Sequence, residues 1–332
     1  MNTPLVSIVI LNWNCKPFLN LCIRSVLSQT YPNIEFFVMD NASTDGSVEF
    51  LKENFGNIPL VVNPTNLGFS KAHNIAIRQS RGKYYMPLNP DVILSPDFVE
   101  KLVKALEDEE QKGIKVGSAS GKIYFCDDKG NPTSIIYTTG HVLTKNRKPH
   151  NRGYKRVDRG QYDQREYIFG ANGACPLYRR DMLEDVSIEG EYFDELFFVY
   201  GDDYDLGWRA QLLGWKCIYI PTAIAYHRGK GTGGLYTSFV QFQYARNRYL
   251  TVLKNDFWVH FLADLPYILA YEFLWQVYIL LTSPRRSWAH LLAVIDLLRV
   301  APITLRKRKL THSRKTVSPS HMRSYFTGMV IR

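Results

Sequence analysis

Cysteine is scarce in this sequence of 332 residues and shows no metal-binding or disulfide spacing. The cysteines are odd in number and scattered, and no C-x-x-C pair occurs, which argues against a disulfide framework and against a zinc site. Scattered thiols of this kind favour a reducing compartment, so we expect the protein in the cytosol. The five cysteines are Cys15, Cys22, Cys126, Cys175 and Cys217.

Signals for export and for phosphate binding by a P-loop are also missing. The N-terminus has no basic region ahead of a long apolar run, so we interpret residues 6–11 as a first strand and not as a signal peptide. The spacing G-x-x-x-x-G-K-[ST] does not occur, which excludes a P-loop. Internal repeats and low-complexity segments are absent too.

Long apolar runs are also lacking in the aromatic-rich C-terminal part. Its pattern is interrupted by Asp264, Pro266 and Glu272. The longest uncharged stretch, residues 273–284, has 12 residues. A membrane-spanning helix needs about 20 apolar residues. We therefore predict no spanning helix here, but amphipathic helices that lie in a membrane interface.

The excess of basic charge is confined to the end of the chain. Residues 285–332 contain 11 Lys and Arg and one acid, Asp296, whereas residues 1–284 are neutral overall. Aromatic residues beside the basic cluster 306–309 suit an anionic membrane surface. A helical pair that packs on the main domain and ends in a solvated basic tail is the alternative. No nucleic-acid-binding module accompanies the charge, so we expect no nucleic-acid partner.

Apolar runs alternate with helical patterns through the first 110 residues, which predicts an α/β fold with parallel strands and right-handed crossovers. In such sheets, ligands bind at the carboxyl ends of the strands. Polar clusters fall at three of these ends, at residues 12–14, 40–45 and 89–91. Strands are predicted at 6–11, 34–40, 59–62 and 83–88, and helices at 17–29, 47–54 and 70–80.

The pattern changes after residue 110. Residues 114–125 and 134–144 alternate as antiparallel strands do. Residues 145–165 are polar and basic and contain Gly and Pro, so we interpret them as a mobile loop. A later strand is predicted at residues 216–221.

Three acids lie within four residues of the stretch YGDDYDLGW. We predict a helix with Asp202 as its N-cap, Asp203 and Asp205 in its first turn and Gly214 just past its end. A carboxylate at a helix N-terminus is held ionised by the helix dipole, which suits a general base. Capping alone would explain one or two of these acids.

Three further features are ambiguous when taken singly. Asp91 in LNPDV either holds a metal ion or closes a turn. His227 precedes a basic, glycine-rich segment that could close over phosphates, but a lone histidine is more often structural. Asn66 and Gly68 could bring backbone amides near an anion at a helix N-terminus, or they form a plain capped loop.

Taken in order, these pieces resemble the family 2 inverting glycosyltransferases with the GT-A fold. The matching stretches are VSIVILNWN, DNASTDGS, NLGFSKAHN, LNPDV, GANGACPLYRR, GDDYDLGWRAQLLGW and AYHRGKG, which together cover roughly residues 5–250. LNPDV and YARNRYLTVLKN are similar to the rhamnosyltransferase-like subgroup. The resemblance implies a GT-A domain over residues 1–250, with a Rossmann-like mixed sheet and helices on both faces. A membrane-associating helical region would follow over residues 251–332.

The resemblance also implies a role for each motif residue. Asp203 would be the catalytic base, and Asp91 and His227 would bind Mg²⁺ or Mn²⁺. Asp40 would contact the nucleobase. The other residues of the donor pocket would be Asn12, Asn14, Asn66, Gly68 and Asn89. The cleft between donor and acceptor would be lined by Ala171, Asn172, Gly173 and Asp202.

The implied reaction is metal-dependent, inverting transfer of one sugar from a dTDP- or UDP-linked donor to a hydroxyl of a lipid-linked saccharide. The subgroup points to L-rhamnose from dTDP-L-rhamnose, in cell-envelope polysaccharide synthesis. The enzyme would lie peripherally on the cytoplasmic face of the membrane and contact its anionic surface.

Two departures from the family pattern refine this expectation. Asn89 stands at the first position of the family's D-x-D motif, where a neutral amide is a poorer ligand for a hard cation. Gln243 and Arg246 are followed by Asn247, whereas processive members carry Q-x-x-R-W, so transfer of a single sugar is favoured.

Two other functions remain as alternatives. A sugar-nucleotide pyrophosphorylase also has a nucleotide-binding sheet, but it should show a G-x-G-T-R-like loop after the first strand, where this chain has LNWNCKPF. A membrane-binding module with a vestigial site is the non-enzymatic alternative.

Overall fold

The first part of the chain folds into parallel βα units. The computed structural model describes residues 3–229 and 237–328. In the sheet, β1 lies between β2 and β4, and β3 pairs with the outer side of β2, all in parallel. These elements confirm the predicted alternation to within about two residues at each end. They are β1 (Val6–Asn12), α1 (Lys16–Leu27), β2 (Ile34–Asp40), α2 (Ser47–Asn54), β3 (Leu60–Val62), α3 (Gly68–Gln79) and β4 (Tyr84–Leu88).

The middle of the chain extends this sheet with antiparallel pairs. Within the described residues the strands β10-β12-β6-β11-β4-β1-β2-β3 follow one another, with β5 beside β12 and β7 beside β6. The sheet is therefore mixed. The added elements are β5 (Val92–Leu94), α4 (Phe98–Gln111), β6 (Val116–Cys126), β7 (Pro132–Thr138), β8 (His141–Thr144), β9 (His150–Asn151), β10 (Glu166–Ile168), β11 (Leu177–Arg179), α5 (Arg180–Val186), α6 (Asp202–Leu212) and β12 (Lys216–His227).

Helices cover both faces of the sheet because its central strands are apolar on both sides. On one face of β1, Ile8 and Ile10 pack in the same core as Ile23 of α1. On the other face, Val9 packs in a second core with Ile77 of α3. Burial on both faces explains why the first strand is a continuous apolar run rather than an alternating one.

The segment predicted as a mobile loop is partly held in place. Residues 150–151 form β9, which pairs with β8. Arg147 is buried, and its guanidinium lies 2.7 Å from a carboxylate oxygen of Asp256 and 2.7 Å from one of Asp264. The prediction of a mobile loop is wrong for this part of 145–165, because two carboxylates from the C-terminal region neutralise the buried cation.

Four helices follow the sheet. Helix α7 crosses residue 250, so the proposed division into residues 1–250 and 251–332 falls within a helix. Near the end of the described chain, β13 pairs with β8, so C-terminal residues join the small sheet β13-β8-β9. The elements are α7 (Ser238–Asn255), α8 (Trp258–Thr282), α9 (Pro284–Ser313), α10 (Pro319–Arg323) and β13 (Phe326–Thr327).

The prediction that no helix here reaches spanning length is wrong. Helix α8 has 25 residues and runs unbroken through Pro266, and α9 has 30. By length and composition alone, each has a window apolar enough to cross a bilayer. The charges that interrupt the sequence pattern are turned inward, since Asp264 pairs with Arg147 and Glu272 pairs with Arg248. The outward face of α8 therefore stays apolar.

Part of the basic cluster 306–309 also faces the protein. Lys307 and Arg308 are buried. The Lys307 ammonium lies 2.6 Å from a carboxylate oxygen of Asp194 and 2.7 Å from one of Glu191. The alternative of packing on the main domain therefore holds for Lys307 and Arg308, whereas contact of the rest of the cluster with an anionic membrane surface stays a prediction. Because Asp194 and Glu191 neutralise the buried Lys307 ammonium directly, this cation does not contact an external surface.

Candidate active site

Asn12 and Asp40 end neighbouring strands and lie opposite each other in the register of β1 and β2. Both are fully buried, and Asn12 Nδ2 donates a hydrogen bond of 2.7 Å to Asp40 Oδ2. The other oxygen, Asp40 Oδ1, accepts from the backbone N–H of Ser43 at 2.8 Å. Each carboxylate oxygen keeps a further lone pair. The Asp40 side chain is thus held at the edge of the sheet, where the family resemblance expects the nucleobase.

Asn14 holds the turn that follows Asp40. Its backbone N–H donates to Ser43 Oγ at 2.9 Å, and its Oδ1 accepts from the Thr44 N–H at 2.8 Å. Asn14 has a φ of 53°, a left-handed conformation that Asn tolerates better than most residues. The structure therefore gives Asn14 a positioning contact with the turn after β2.

Gly68 brings the start of α3 against the loop that precedes α6. It has a φ of +74°, and a Cβ there would lie 2.4 Å from the backbone oxygen of Phe198. The Gly68 N–H donates to Asn66 Oδ1 at 2.9 Å, and the Phe69 N–H donates to Phe198 O at 2.6 Å. Both amides are thus occupied within the protein, so they are not free donors for an anion. A donor-binding role for Asn66 and Gly68 stays a prediction from the resemblance.

We expect Gly68→Ala to lower the melting temperature more than Gly113→Ala. Gly113 has nearly the same φ, +70°, but its Cβ would meet nothing within 4 Å. Both variants incur the left-handed strain of about 1–2 kcal/mol. Only Gly68→Ala adds a steric overlap, which costs about 1–3 kcal/mol more. Thermal unfolding of the two variants measures the difference in melting temperature. Equal decreases would show that Phe198 moves away from the added Cβ at little cost.

Asp91 and His227 are brought together by the pairing of β5 with β12, in which Val92 lies opposite His227. His227 Nε2 lies 3.0 Å from Asp91 Oδ1, and both side chains are buried. Asp91 Oδ2 and His227 Nδ1 are also buried, and neither has a hydrogen-bond partner among the described residues. Each of the two side chains thus keeps one buried atom without a hydrogen bond that can ligate a metal, which is compatible with the predicted metal site.

The charge on Asp91 suits a divalent cation. Burial by itself raises the pKa of Asp91, but the charge and hydrogen bond of His227 outweigh it, so the pKa is lowered. No group of three or more His, Cys, Asp or Glu side chains that could hold a metal occurs in the described ranges. A structural zinc site, which needs four ligands, does not fit. Mg²⁺ or Mn²⁺ does fit, because phosphate and water oxygens complete their coordination.

The glycine-rich segment predicted to close over phosphates, residues 230–234, lies outside the described residues. Its neighbour Arg228 is described, and its backbone N–H donates to Asp91 O at 3.2 Å. The Arg228 guanidinium lies 2.8 Å from Asp128 Oδ1 and 3.8 Å above the Phe18 ring centroid. The Arg228 side chain is thus paired with Asp128, and its charge contributes to the lowered pKa of Asp91.

Helix α6 begins at Asp202, so the prediction that Asp202 is its N-cap is wrong. Gly201 takes the cap position with a φ of 81°, and no side chain caps the helix. Tyr200, just before it, has a φ of 71°, which is unusual for a bulky residue. Two successive left-handed residues turn the chain sharply into α6. This turn places Asp202 and Asp203 in the first helical turn.

The carboxylate of Asp203 has three hydrogen-bonding partners. Its Oδ2 accepts from the Gly173 N–H at 2.6 Å and lies 2.9 Å from His141 Nε2. Its Oδ1 accepts from the Tyr204 N–H at 2.8 Å. Burial raises the pKa of Asp203, but His141 and these N–H groups outweigh it, so the pKa is lowered. Asp203 is therefore ionised at neutral pH, as a base must be.

The other two acids of α6 have different environments. Burial, followed by the charge of Asp203, raises the pKa of Asp202 well above its ordinary value. Asp205 is fully buried and pairs with Arg209 at 2.9 Å and with Lys254 at 2.9 Å. Asp205 thus joins α6 to α7 and has a structural role. Among the three, Asp203 alone combines an ionised carboxylate with a histidine partner in the described residues.

Among the predicted cleft residues 171–173, Gly173 lies directly against Asp203. A Cβ on Gly173 would be 3.1 Å from Asp203 Oδ2, so the absence of a side chain allows the approach. Asn172 Nδ2 donates to Asn151 Oδ1 at 3.1 Å, and its Oδ1 accepts from the Ala174 N–H at 3.0 Å. Ala171 is buried in a small apolar cluster beneath them. The structure therefore brings Gly173 into contact with Asp203, whereas a cleft role for Ala171 and Asn172 stays a prediction.

Tyr137 packs against the Asp91–His227 pair. Its ring packs edge-on against His227 with the centroids 4.2 Å apart. Burial is the main cause that raises the pKa of Tyr137, and the carboxylates of Asp91 and Asp203 both add to it. Tyr137 therefore lies within electrostatic range of both carboxylates.

Sequence reasoning assigned no contact in this site to three residues that the structure places there. His141 follows Gly140 at the start of β8, and nothing in its local pattern marks it as a partner of an acid. Tyr137 lay inside a predicted strand. Asn247, noted as a departure from Q-x-x-R-W, donates through Nδ2 to Val199 O at 2.8 Å and to Tyr200 O at 2.7 Å. It thereby fixes the turn that leads into Asp202.

The comparison with known protein families agrees with this geometry. The family model described as "Glycosyl transferase family 2" matches residues 7–187, more than half of the chain. The chain belongs to glycosyl transferase family 2. This membership confirms the family resemblance predicted from the motifs and disfavours the pyrophosphorylase alternative.

The relatives of this family 2 chain differ in their named activities. An N-acetylglucosaminyl-diphospho-decaprenol L-rhamnosyltransferase of Mycobacterium tuberculosis is 26% identical over 247 residues, which are 70% of this chain and 78% of the relative. A chondroitin synthase of Escherichia coli is 35% identical over 136 residues, 40% of this chain and 19% of the relative. An uncharacterized glycosyltransferase of Haemophilus influenzae is 32% identical over 145 residues, covering 43% and 56%. The chain thus spans little more than half of this last relative and a fifth of the chondroitin synthase.

Solved structures confirm the predicted GT-A fold. The crystal structure of GalNAc-T7 with UDP, GalNAc and Mn²⁺ superposes with a TM-score of 0.58 at 16% identity, covering 75% of this chain and 48% of that one. Staphylococcus aureus TarS superposes with a TM-score of 0.50 at 17% identity, covering 80% and 43%. At such identities the likeness concerns the fold of this family 2 chain.

Proposed function

We propose that the protein is an inverting glycosyltransferase that transfers one sugar from a nucleotide-sugar donor to a hydroxyl of a saccharide acceptor. The observation that carries this proposal is the environment of Asp203, an ionised, buried carboxylate held by His141 and the Gly173 N–H. The charges of Asp91 and Asp203 both act on Tyr137, which packs against His227, and this supports placing the Asp91–His227 pair near Asp203. A base and a site for a charged leaving group are the two parts that inverting transfer requires.

Asp203 would act as the base of a single displacement. As the acceptor oxygen attacks the anomeric carbon, its proton passes to Asp203 and the new C–O bond forms. The bond from that carbon to the diphosphate oxygen breaks on the opposite face, and the nucleoside diphosphate leaves with the electron pair. His141 holds Asp203 Oδ2 in place throughout. One displacement inverts the anomeric centre.

The other end of the cleft would hold the donor diphosphate. A Mg²⁺ or Mn²⁺ ion bound by Asp91 and His227 would supply neutralisation of the charge on the leaving group. Asn89 closes the turn that aims Asp91 at His227, since its N–H donates to Ala174 O at 2.9 Å and its carbonyl accepts from the Val92 N–H at 3.1 Å. The nucleoside would lie at the ends of β1 and β2, beside Asn12, Asn14 and Asp40.

We further propose that the donor sugar is L-rhamnose, from dTDP-L-rhamnose, and that the acceptor is lipid-linked. The name of the mycobacterial relative supports both points, and its alignment with this chain covers 78% of that relative. Large apolar side chains on the outer faces of α8 and α9 support contact with a membrane on its cytoplasmic side. These exposed side chains include Leu262, Leu269, Phe273, Leu281, Trp288 and Leu298.

Nucleoside diphosphate release from a panel of sugar nucleotides tests the proposed function. We expect release from dTDP-L-rhamnose only when a lipid-linked saccharide acceptor is present, with one sugar added per acceptor by mass spectrometry. EDTA should abolish release and Mn²⁺ should restore it. Formation of a sugar nucleotide from a sugar phosphate and a nucleoside triphosphate would indicate a pyrophosphorylase. No release with any donor and acceptor would favour a membrane-binding module with a vestigial site.

A further inference from the structure

Asn247 of α7 holds the end of the loop that leads into α6, residues 196–200. Its Nδ2 donates to two successive backbone carbonyls, at 2.8 Å to Val199 O and at 2.7 Å to Tyr200 O. The side chain is buried, with 1% of its surface exposed. An amide nitrogen carries two hydrogens, so one asparagine can satisfy both acceptors, whereas the tryptophan of Q-x-x-R-W has a single N–H. The position that departs from the family motif therefore makes a specific contact in this chain.

The backbone that these hydrogen bonds hold has an unusual conformation. Tyr200 has a φ of 71°, and Gly201, which follows it, has a φ of 81°. A left-handed backbone is unfavourable for a bulky residue such as tyrosine, and it persists only where the surrounding structure imposes it. Glycine adopts the same conformation without that cost. Asn247 therefore stabilises a turn that Tyr200 does not favour by itself.

Helix α7 makes contacts on both sides of the proposed base. Before α6, Arg246 Nη1 donates to Leu196 O at 2.6 Å. Within α6, the Lys254 ammonium lies 2.9 Å from a carboxylate oxygen of Asp205. Asp203 lies between these two points in the sequence. The first turn of α6 is therefore held against α7 through the preceding loop as well as through the helix itself.

Two contacts of the Asp203 side chain come from other parts of the fold. Its Oδ2 accepts from the Gly173 N–H at 2.6 Å and lies 2.9 Å from His141 Nε2. Hydrogen bonds weaken steeply as their angle departs from the preferred range. A misplacement of about 1 Å in an active site can lower a rate about 10²-fold. The orientation of Asp203 therefore depends on correct placement of the first turn of α6.

We propose that Asn247 is a positioning residue for the base: it imposes the left-handed turn at Tyr200 and Gly201 and thereby orients Asp203 toward the acceptor hydroxyl. The inference rests on the proposed function, because it concerns the base of that reaction. Asn247 acts through the turn and needs no contact with donor or acceptor. Its loss should therefore affect the chemical step and leave binding of the nucleotide largely unchanged.

Asn247→Leu removes the donor and keeps a side chain of similar size. We expect kcat to fall about 10–10²-fold, the scale of a misplaced catalytic group. The Kd for the nucleoside diphosphate should stay within about threefold. Gln241→Leu is the matched control, because it deletes a buried amide on the same helix whose partners, His290 and Arg286, belong to α9. The control should lower the melting temperature by a similar amount and keep kcat within about threefold of the wild type.

A second substitution tests whether the turn is what Asn247 maintains. Adding Tyr200→Gly to Asn247→Leu places a glycine where the backbone is left-handed, so the turn should form without the asparagine. The kcat of this double variant should rise above that of Asn247→Leu alone. If the leucine variant does not fold, Asn247→Ala serves for the same comparisons, since a water in the vacated space can bond to the carbonyls.

Hydrogen exchange over residues 197–206 gives a readout that needs no turnover. The Asp205 N–H donates to Gly201 O at 2.9 Å in the first turn of α6. We expect this segment to exchange faster in Asn247→Leu than in Gln241→Leu. Equal exchange in these two variants, equal kcat in both, or no recovery with Tyr200→Gly would each overturn the proposal. A wild-type protein without transferase activity would refute the proposed function instead, and the exchange result would still decide whether Asn247 holds the turn.

Discussion

Replacing Asp203 with asparagine is expected to lower kcat about 10²–10⁴-fold, the usual contribution of a general base. The amide has nearly the same shape as the carboxylate, and its oxygen can still accept from the Gly173 N–H or the Tyr204 N–H. It cannot accept the proton of the acceptor hydroxyl. The Kd for the nucleoside diphosphate should stay within about threefold, a difference below 1 kcal/mol. Single-turnover release and calorimetric titration measure the two quantities separately.

His141→Gln is the matched control for this variant, because it removes a neighbour of the base and leaves the base itself. The imidazole lowers the pKa of Asp203 against the effect of burial. Without it the carboxylate should protonate at higher pH, so the acidic limb of the rate profile should move upward in pH. Activity should remain above that of Asp203→Asn. Turnover near the wild-type rate in Asp203→Asn would exclude Asp203 as the base.

The half of the sheet that carries the proposed nucleotide site could be predicted because its strands are buried on both faces. Such strands produce continuous apolar runs, and VSIVIL and IEFFVMD stand out from the polar turns that follow them. The topology then fixes where the strands end. Asn12 and Asp40 come into contact simply because β1 and β2 are parallel and in register. Their proximity follows from the pattern alone.

The histidine partner of the proposed base could not be predicted in this way. His141 and Asp203 are 62 residues apart and meet through tertiary packing, which no local spacing encodes. The strand that carries His141 has four residues and lies beside a segment without apolar periodicity. The ranking of Asp202, Asp203 and Asp205 likewise depends on burial and on distant partners such as Lys254. Sequence shows three acids, and only packing distinguishes them.

The sequence likewise does not show which charged side chains of the C-terminal helices point into the protein. A sequence window counts Asp264 and Glu272 as polar interruptions wherever they point. In the fold they pair with Arg147 and Arg248, which are more than 20 residues away in sequence. A carboxylate neutralised inside the protein does not interrupt the outer face of a helix. Predictions of membrane contact from sequence therefore underestimate a helix whose charges are all directed inward.

Asp91→Ala is expected to remove metal-dependent turnover, a loss of about 10³-fold or more, since a bound cation contributes several kcal/mol of charge stabilisation. The variant deletes Oδ2, which is buried without a hydrogen-bond partner among the described residues, and leaves His227 without its carboxylate neighbour. Binding of Mn²⁺ in the presence of the nucleoside diphosphate, followed by electron paramagnetic resonance, gives a readout besides activity. It should weaken in parallel with turnover.

Asn89→Ala is the comparison that decides whether the metal site depends on one acid or on the whole turn. The backbone of Asn89, and not its side chain, makes the hydrogen bonds to Ala174 and Val92 that close the turn. The alanine variant keeps those bonds, so it should weaken Mn²⁺ binding and turnover less than Asp91→Ala. If both variants lose the ion equally, the amide of Asn89 is itself a ligand. If Asp91→Ala keeps full Mn²⁺ binding, the Asp91–His227 pair is a structural contact and the cation binds elsewhere.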